Sequence, residues 1–198
     1  MSIWVGADPG GRRKFGLSLL DADGLARCCT VSSVDEAVDW IMDQVDADVV
    51  GGIGIDAPLW WSSGRGGGRL ADKWIRGRYN IASGTVQSVN SLRGAAIAQA
   101  QLLVDRMRER LTGLKVTETH PKALLIAMGI DFECLCARYE VVVPPVNEHE
   151  RDAVIGAIAA REGFENRWGV DLSRDRWASE QDPDDYWIAP IRYFWPND

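Results

Sequence analysis

Apolar residues near the start of the chain come in three short groups: IWVGAD from Ile3, KFGLSLL from Lys14 and ARCCTV from Ala26. Each has the length of a strand, and Gly-rich and DADG segments of hairpin length separate them, which predicts a three-stranded antiparallel meander. The period then changes. Val34, Ala37, Val38, Ile41 and Val45 recur at helical spacing, preceded by Ser33 as N-cap with Glu36 three residues on. VVGGIGIDAPLWW is almost continuously apolar up to Asp56, as expected of a central strand covered on both faces. From Leu92 a long helix is predicted through Ala96, Ala100, Leu103, Met107 and Leu111, with Gln101, Asp105, Arg108 and Glu109 opposite. LKVTETHP reads as a strand ending on Glu118; Pro121 then opens a helix that Gly129 closes. VVVPPVNEHERDAVIGAIAARE gives a short strand, a Pro-Pro stop and a last helix capped by Asn147 with Glu150.

The order βββ, α, β, α, β, α predicts an α/β fold, a mixed sheet of three antiparallel strands followed by parallel strands, with helices on both faces. A chain of 198 residues can form one domain over 1–198 with a core of its own. Two stretches fall outside the pattern. Residues from about 60 to 90 are rich in Gly, Arg and Trp and read as a long irregular loop, and from about 163 the chain is acidic and aromatic. DYWIAPIRYFWP within that extension is expected to add a strand or clamp the core.

Composition narrows the function classes. Hydrophobic residues at 46% and charged residues at 26% exclude a disordered or fibrous chain. No apolar run approaches the roughly 20 residues of a membrane span, and MSIWVGAD lacks a basic-then-apolar leader, so a cytoplasmic protein without a membrane partner is expected. Cys28, Cys29, Cys134 and Cys136 form an adjacent pair and a CxC, not zinc spacing, and read as reduced structural thiols. A net charge of −7 disfavours indiscriminate binding to nucleic acid. Locally the sign reverses: between Ser62 and Arg93 the charges are Arg65, Arg69, Lys73, Arg76, Arg78 and Arg93 against Asp72 alone. Those cations are candidates for phosphate binding, with Trp60, Trp61 and Trp74 available to stack on bases. The alternative is arginines that solvate a loop and tryptophans that pack the core or a partner.

Carboxylates recur where strands end. Asp8 before Pro9-Gly10 is ordinary turn chemistry on its own, but a parallel strand beside the first would bring Asp56 to the same sheet edge. Asp152 shares a helical face with Ile155, Gly156 and Ala159, small enough to let the helix approach the sheet, and His149 lies one turn earlier on that face. Glu118 either completes the cluster or caps the helix begun at Pro121. Several carboxylates side by side raise one another's pKa unless a cation compensates them, and oxygen-only donors suit Mg²⁺ or Mn²⁺ better than Zn²⁺. Phosphodiester hydrolysis is the chemistry such a site supports.

GADPGGRRKFGLSLL, GIDAPL, ETHP and HERDAV, in that order between about Ile3 and Glu162, resemble the DUF429 family of predicted nucleases with a ribonuclease H-like fold. DPG at the first strand end and HxxDA on the last helix are also similar to Holliday-junction resolvases. The resemblance implies Asp8, Asp56 and Asp152 as metal ligands, with Glu118 as a fourth, His149 as a proton-transfer partner, Mg²⁺ or Mn²⁺ as cofactor and DNA or RNA as partner. Two other readings stay open. One is a non-catalytic module binding nucleic acid or a partner through the Arg/Trp segment; the other is an actin-like phosphotransferase, for which the chain offers no second domain.

Overall fold

The computed structural model describes residues 2–62, 68–92, 94–173, 185–187 and 190–197. The three N-terminal apolar groups form β1 (Ile3–Asp8), β2 (Phe15–Leu20) and β3 (Ala26–Val31), paired antiparallel in sequence order. Ser33 then caps α1 (Val34–Gln44), its hydroxyl accepting from the Glu36 amide at 3.3 Å. β4 (Val50–Ile55) lies parallel to β1 on the side away from β2, and further along the chain β6 (Val116–Glu118) lies parallel to β4. The sheet order is therefore β3-β2-β1-β4-β6, the mixed α/β sheet that the pattern predicts.

Between β4 and β6 come β5 (Trp60–Ser62), α2 (Leu70–Tyr79) and α3 (Gly94–Arg110). After β6 follow α4 (Pro121–Met128), α5 (Phe132–Arg138), α6 (Glu148–Phe164), β7 (Val170–Asp171), β8 (Asp185–Trp187) and β9 (Phe194–Trp195). β2 is buried along its whole length, so both sheet faces are covered. α6 packs across β2, β1 and β4, while α1 packs on β2 and against α3.

Glycines decide how closely α6 can approach. A Cβ on Gly6 of β1 would fall 1.7 Å from the Ala153 carbonyl oxygen, one on Gly16 of β2 2.1 Å from that of His149, and one on Gly54 of β4 2.1 Å from that of Gly156. Three adjacent strands thus present bare backbone along a diagonal, and the Ala- and Gly-rich helix lies directly in the trough. The start of the helix is pinned as well. Asn147 accepts from the His149 and Glu150 amides, Glu150 accepts from the Asn147 amide, and Asn147 Nδ2 and Glu150 Oε1 both meet Thr30 Oγ1 of β3, at 2.8 and 2.9 Å.

Several details differ from the sequence reading. The stretch from 60 to 90 is not one irregular loop, because β5 pairs with β8 and residues 70–79 form α2, closed by Asn80 in the left-handed conformation at φ 51°. Ala71, Trp74 and Ile75 carried a helical stripe that the surrounding Gly and Arg obscured. The expected strand at VVV shrinks to a bridge between Val142 and Leu25, and α5 had no counterpart among the predicted elements. The C-terminal aromatic segment does clamp the core: Arg192 bridges to Thr117 beside β6, β9 pairs with β7, and Tyr193 and Trp195 are buried. Among the described residues no helix is long and apolar enough to cross a membrane, and the four cysteines are free.

Candidate functional site

Parallel pairing of β1 with β4 sets Ala7 opposite Ile55, and the Asp56 amide donates to the Ala7 carbonyl at 2.8 Å, so Asp8 and Asp56 leave the sheet side by side. By strand alternation Asp8 shares the face of Gly6 and Asp56 that of Gly54, the face on which α6 lies. The trough brings the first turns of α6 to these strand ends. His149 Nδ1 stands 2.7 Å from Asp8 Oδ2, and Asp152, one turn later, approaches closely enough for its charge to act on both aspartates. A cleft of about 500 Å³ opens over the group, lined by Asp8, Asp56, Asp152 and His149 and also by Arg69, Asp72, Glu118, Thr119, His120 and Lys122.

The carboxylates are under electrostatic stress. Burial, with the neighbouring charge of Asp152, pushes Asp8 up to about 6 from an ordinary 3.8, although the hydrogen bond from His149 draws it down. Burial raises Asp56 well above the carboxylate range, and the charges of Asp8, Asp152 and Glu118 push the same way. Lys122 is the cation that opposes this, and among the described residues no donor reaches the Asp56 carboxylate. Asp152 is raised by burial too, less so because Arg151 donates to it at 3.1 and 3.2 Å.

Glu118, expected as a fourth ligand, lines the same cleft, but its oxygens are already engaged. It pairs in register with Ile55, not Gly54, and so points off the opposite face. There Arg69 grips it bidentately, Nη2 to Oε1 at 2.6 Å and Nη1 to Oε2 at 2.8 Å, and the Leu59 amide donates to Oε2 at 3.0 Å. Arg69, a candidate phosphate-binding cation by sequence, is 1% exposed, bonded also to both Asp72 oxygens and stacked 4.2 Å from the Trp60 ring. Burial opposes its charge, but Glu118 and Asp72 more than offset that and hold the guanidinium ionised. With Asp72 the two residues form a buried ion cluster that makes part of the cleft wall. Of the other predicted phosphate-binding cations, Arg76 is half-buried and donates to the Val86 carbonyl at 2.8 Å, Lys73 is exposed, and Arg78 lies over the Trp74 and Tyr79 rings at 5.6 and 5.7 Å. Arg65 lies outside the described residues.

Thr119 and His120, neither among the predicted site residues, also line the cleft. Thr119 Oγ1 and His120 Nδ1 are buried without hydrogen-bond partners, and burial lowers the His120 imidazole to about 4, so it is neutral at pH 7. Their place directly after the Glu118 strand end was the available signal.

Oxygen donors from three elements, whose mutual repulsion Lys122, Arg151 and His149 offset only in part, match the chemistry of a hard divalent cation. As the side chains stand, among the described residues no group of three or more His, Cys, Asp or Glu is spaced to hold a metal ion. Asp8, Asp56 and Asp152 would therefore have to draw together on one. Comparison with protein families, with curated proteins and with solved structures gave no match to this chain.

Proposed function

We propose that this protein is a metal-dependent phosphodiester hydrolase with a ribonuclease H-like arrangement, in which Asp8, Asp56 and Asp152 hold Mg²⁺ or Mn²⁺. The observation that carries the reading is the convergence of these three acids, from two adjacent parallel strand ends and the helix packed across them, on one cleft. Glu118 is left out of the ligand set because Arg69 and the Leu59 amide occupy its oxygens.

Bound there, a divalent cation supplies charge stabilisation at the phosphate and a more acidic water. The protein's own groups do the rest. Asp8 accepts from or shares a proton with His149 through the 2.7 Å contact, which fixes the imidazole orientation and leaves Nε2 to exchange a proton with the attacking water or the leaving oxygen. Lys122, in the cleft lining and near enough for its charge to act on Asp56 and Asp152, offers a positive charge to a phosphate oxygen. Thr119 Oγ1 and His120 Nδ1 bring unused hydrogen-bonding capacity to the wall, available once a polar ligand enters.

Calorimetric titration of Mn²⁺ tests the reading. Wild type is expected to bind and Asp56→Asn to lose at least about tenfold in affinity, with Mn²⁺-dependent hydrolysis of bis(p-nitrophenyl) phosphate falling at least 100-fold. Equal binding by the two proteins, or by neither, refutes it.

A further inference from the structure

The acidic cleft continues past its own rim. Gly84 and Gln87 line it and also line a second hollow of about 490 Å³, whose remaining wall includes Arg76, Ser83, Ser88 and Ser91. The two differ in charge. The first is lined by six carboxylates, Asp8, Asp56, Asp72, Asp152, Glu118 and Glu148, against Arg69 and Lys122; the second, among the described residues, has no carboxylate in its lining and has Arg76 as its cation.

Arg76 is built into its place. Nη1 donates to the carbonyl of the fully buried Val86 at 2.8 Å, which ties α2 to the 82–88 turn, while Nη2 and the Lys73 stem flank Gly68. Opposite, Ser88 and Ser91 set their hydroxyls 3.0 Å apart, and Gln87 Nε2 donates to the Gly84 carbonyl at 3.1 Å. A guanidinium, two hydroxyls and exposed backbone around a hollow free of acid form a phosphate-binding environment. Cleft and hollow, about 500 and 490 Å³, both fall within the roughly 300–1,000 Å³ of ordinary ligand sites, room for one nucleotide-sized group each.

We propose that the two hollows form one track for a single-stranded polynucleotide, with the reacting phosphodiester over Asp8, Asp56 and Asp152 and the adjoining phosphates led past Gln87 to Arg76, Ser88 and Ser91. The proposal rests on the hydrolase reading and extends it from a bond type to a substrate class. It also reconciles a net charge of −7 with a phosphate substrate: the general field repels nucleic acid, and only a strand that reaches the local cation is retained. DNA and RNA strands share the recognised sugar-phosphate chemistry.

Fluorescence anisotropy with labelled dT12 and U12, in EDTA and about 20 mM salt, reads the track without any metal, so its outcome is independent of the Mn²⁺ titration above. Saturable binding by wild type is expected, weakened at least about fivefold by Arg76→Glu and by Ser91→Glu, and less than about twofold by Arg106→Glu, an equal charge reversal on an exposed helix face elsewhere. Ser91 is exposed, so its variant keeps the test valid if Arg76→Glu fails to fold. A preference between dT12 and U12 identifies the sugar. The track is overturned if neither strand binds, if the groove variants behave like Arg106→Glu, if thymidine 3′,5′-bisphosphate competes as strongly as the 12-mer, or if a 12-base-pair duplex binds more tightly.

Discussion

Removing a proposed metal ligand ordinarily harms a protein, but here the metal-free protein should become more stable when Asp8 is neutralised. Asp8 titrates at about 6 in the fold against 3.8 ordinarily, because burial and the Asp152 charge disfavour its ionised form more than the His149 hydrogen bond favours it. The folded protein therefore keeps this proton over a range in which the unfolded chain has released it. Stability from this group is complete below about pH 4, falls as pH rises towards 6 and stays lower above it. At 1.36 kcal/mol per pKa unit the loss is roughly 3 kcal/mol. The side chain is 15% exposed, so solvent screening trims this only partly. Asn retains an acceptor for His149 but is a weaker partner than a carboxylate, which brings the net gain of Asp8→Asn at pH 8 to about 1–3 kcal/mol. For a chain of 198 residues, unfolding entropy near 0.4 kcal/mol per kelvin converts this to roughly 3–7 °C in Tm. Thermal unfolding followed by circular dichroism in EDTA should show that gain at pH 8 and a gap that closes towards pH 4. Saturating Mn²⁺ should reverse the order, since wild type then gains about 2.7 kcal/mol at 100 times Kd and the variant gains little. A variant less stable than wild type at pH 8 without metal, or a gap that does not change with pH, refutes the account of the carboxylate cluster.

Three further substitutions probe the scaffold of the site. Arg69→Met strands Glu118 and Asp72 in the interior without a counter-charge and should cost about 3–5 kcal/mol in urea unfolding; a loss under about 1 kcal/mol would mean that the buried cluster is not held by charge pairing. Gly6→Ala sets a methyl 1.7 Å from the Ala153 carbonyl oxygen, so α6 must lift. The expected loss is about 3 kcal/mol or more, together with Mn²⁺ affinity, whereas Gly77→Ala on α2, where a Cβ meets nothing within 4 Å, should stabilise by about 0.5–1 kcal/mol. Equal effects at the two glycines, read in the same urea assay, would contradict the close packing described.

Much of the architecture was legible because its signals are short-range. Alternating apolar residues and Gly-rich turns specify β1, β2 and β3 as a meander; Ser33 with Glu36 and Asn147 with Glu150 specify two helix starts; the apolar run up to Asp56 specifies a covered strand. Each of these is a property of a dozen neighbouring residues, and each formed as the pattern predicts. α2 was harder to read because its stability is not local. Its first turn is held by Arg69 clamping Asp72 and, forty-nine positions away in sequence, Glu118.

The sequence by itself determined that Asp8, Asp56 and Glu118 stand at strand ends and that Asp152 and His149 share a helical face. It could not determine which of them meet. Side chains alternate along a strand, so the face on which a strand-end carboxylate emerges depends on register with the neighbouring strand, and the pairing of Glu118 with Ile55 sets its carboxylate against Arg69, which takes up its oxygens. The depth at which α6 settles is likewise a joint property of Gly6, Gly16 and Gly54 on three strands brought side by side only by the sheet. Register and the glycine trough between them, both products of long-range pairing, decided that Asp8, Asp56 and Asp152 come within range of one another's charge while Glu118 is taken up by Arg69.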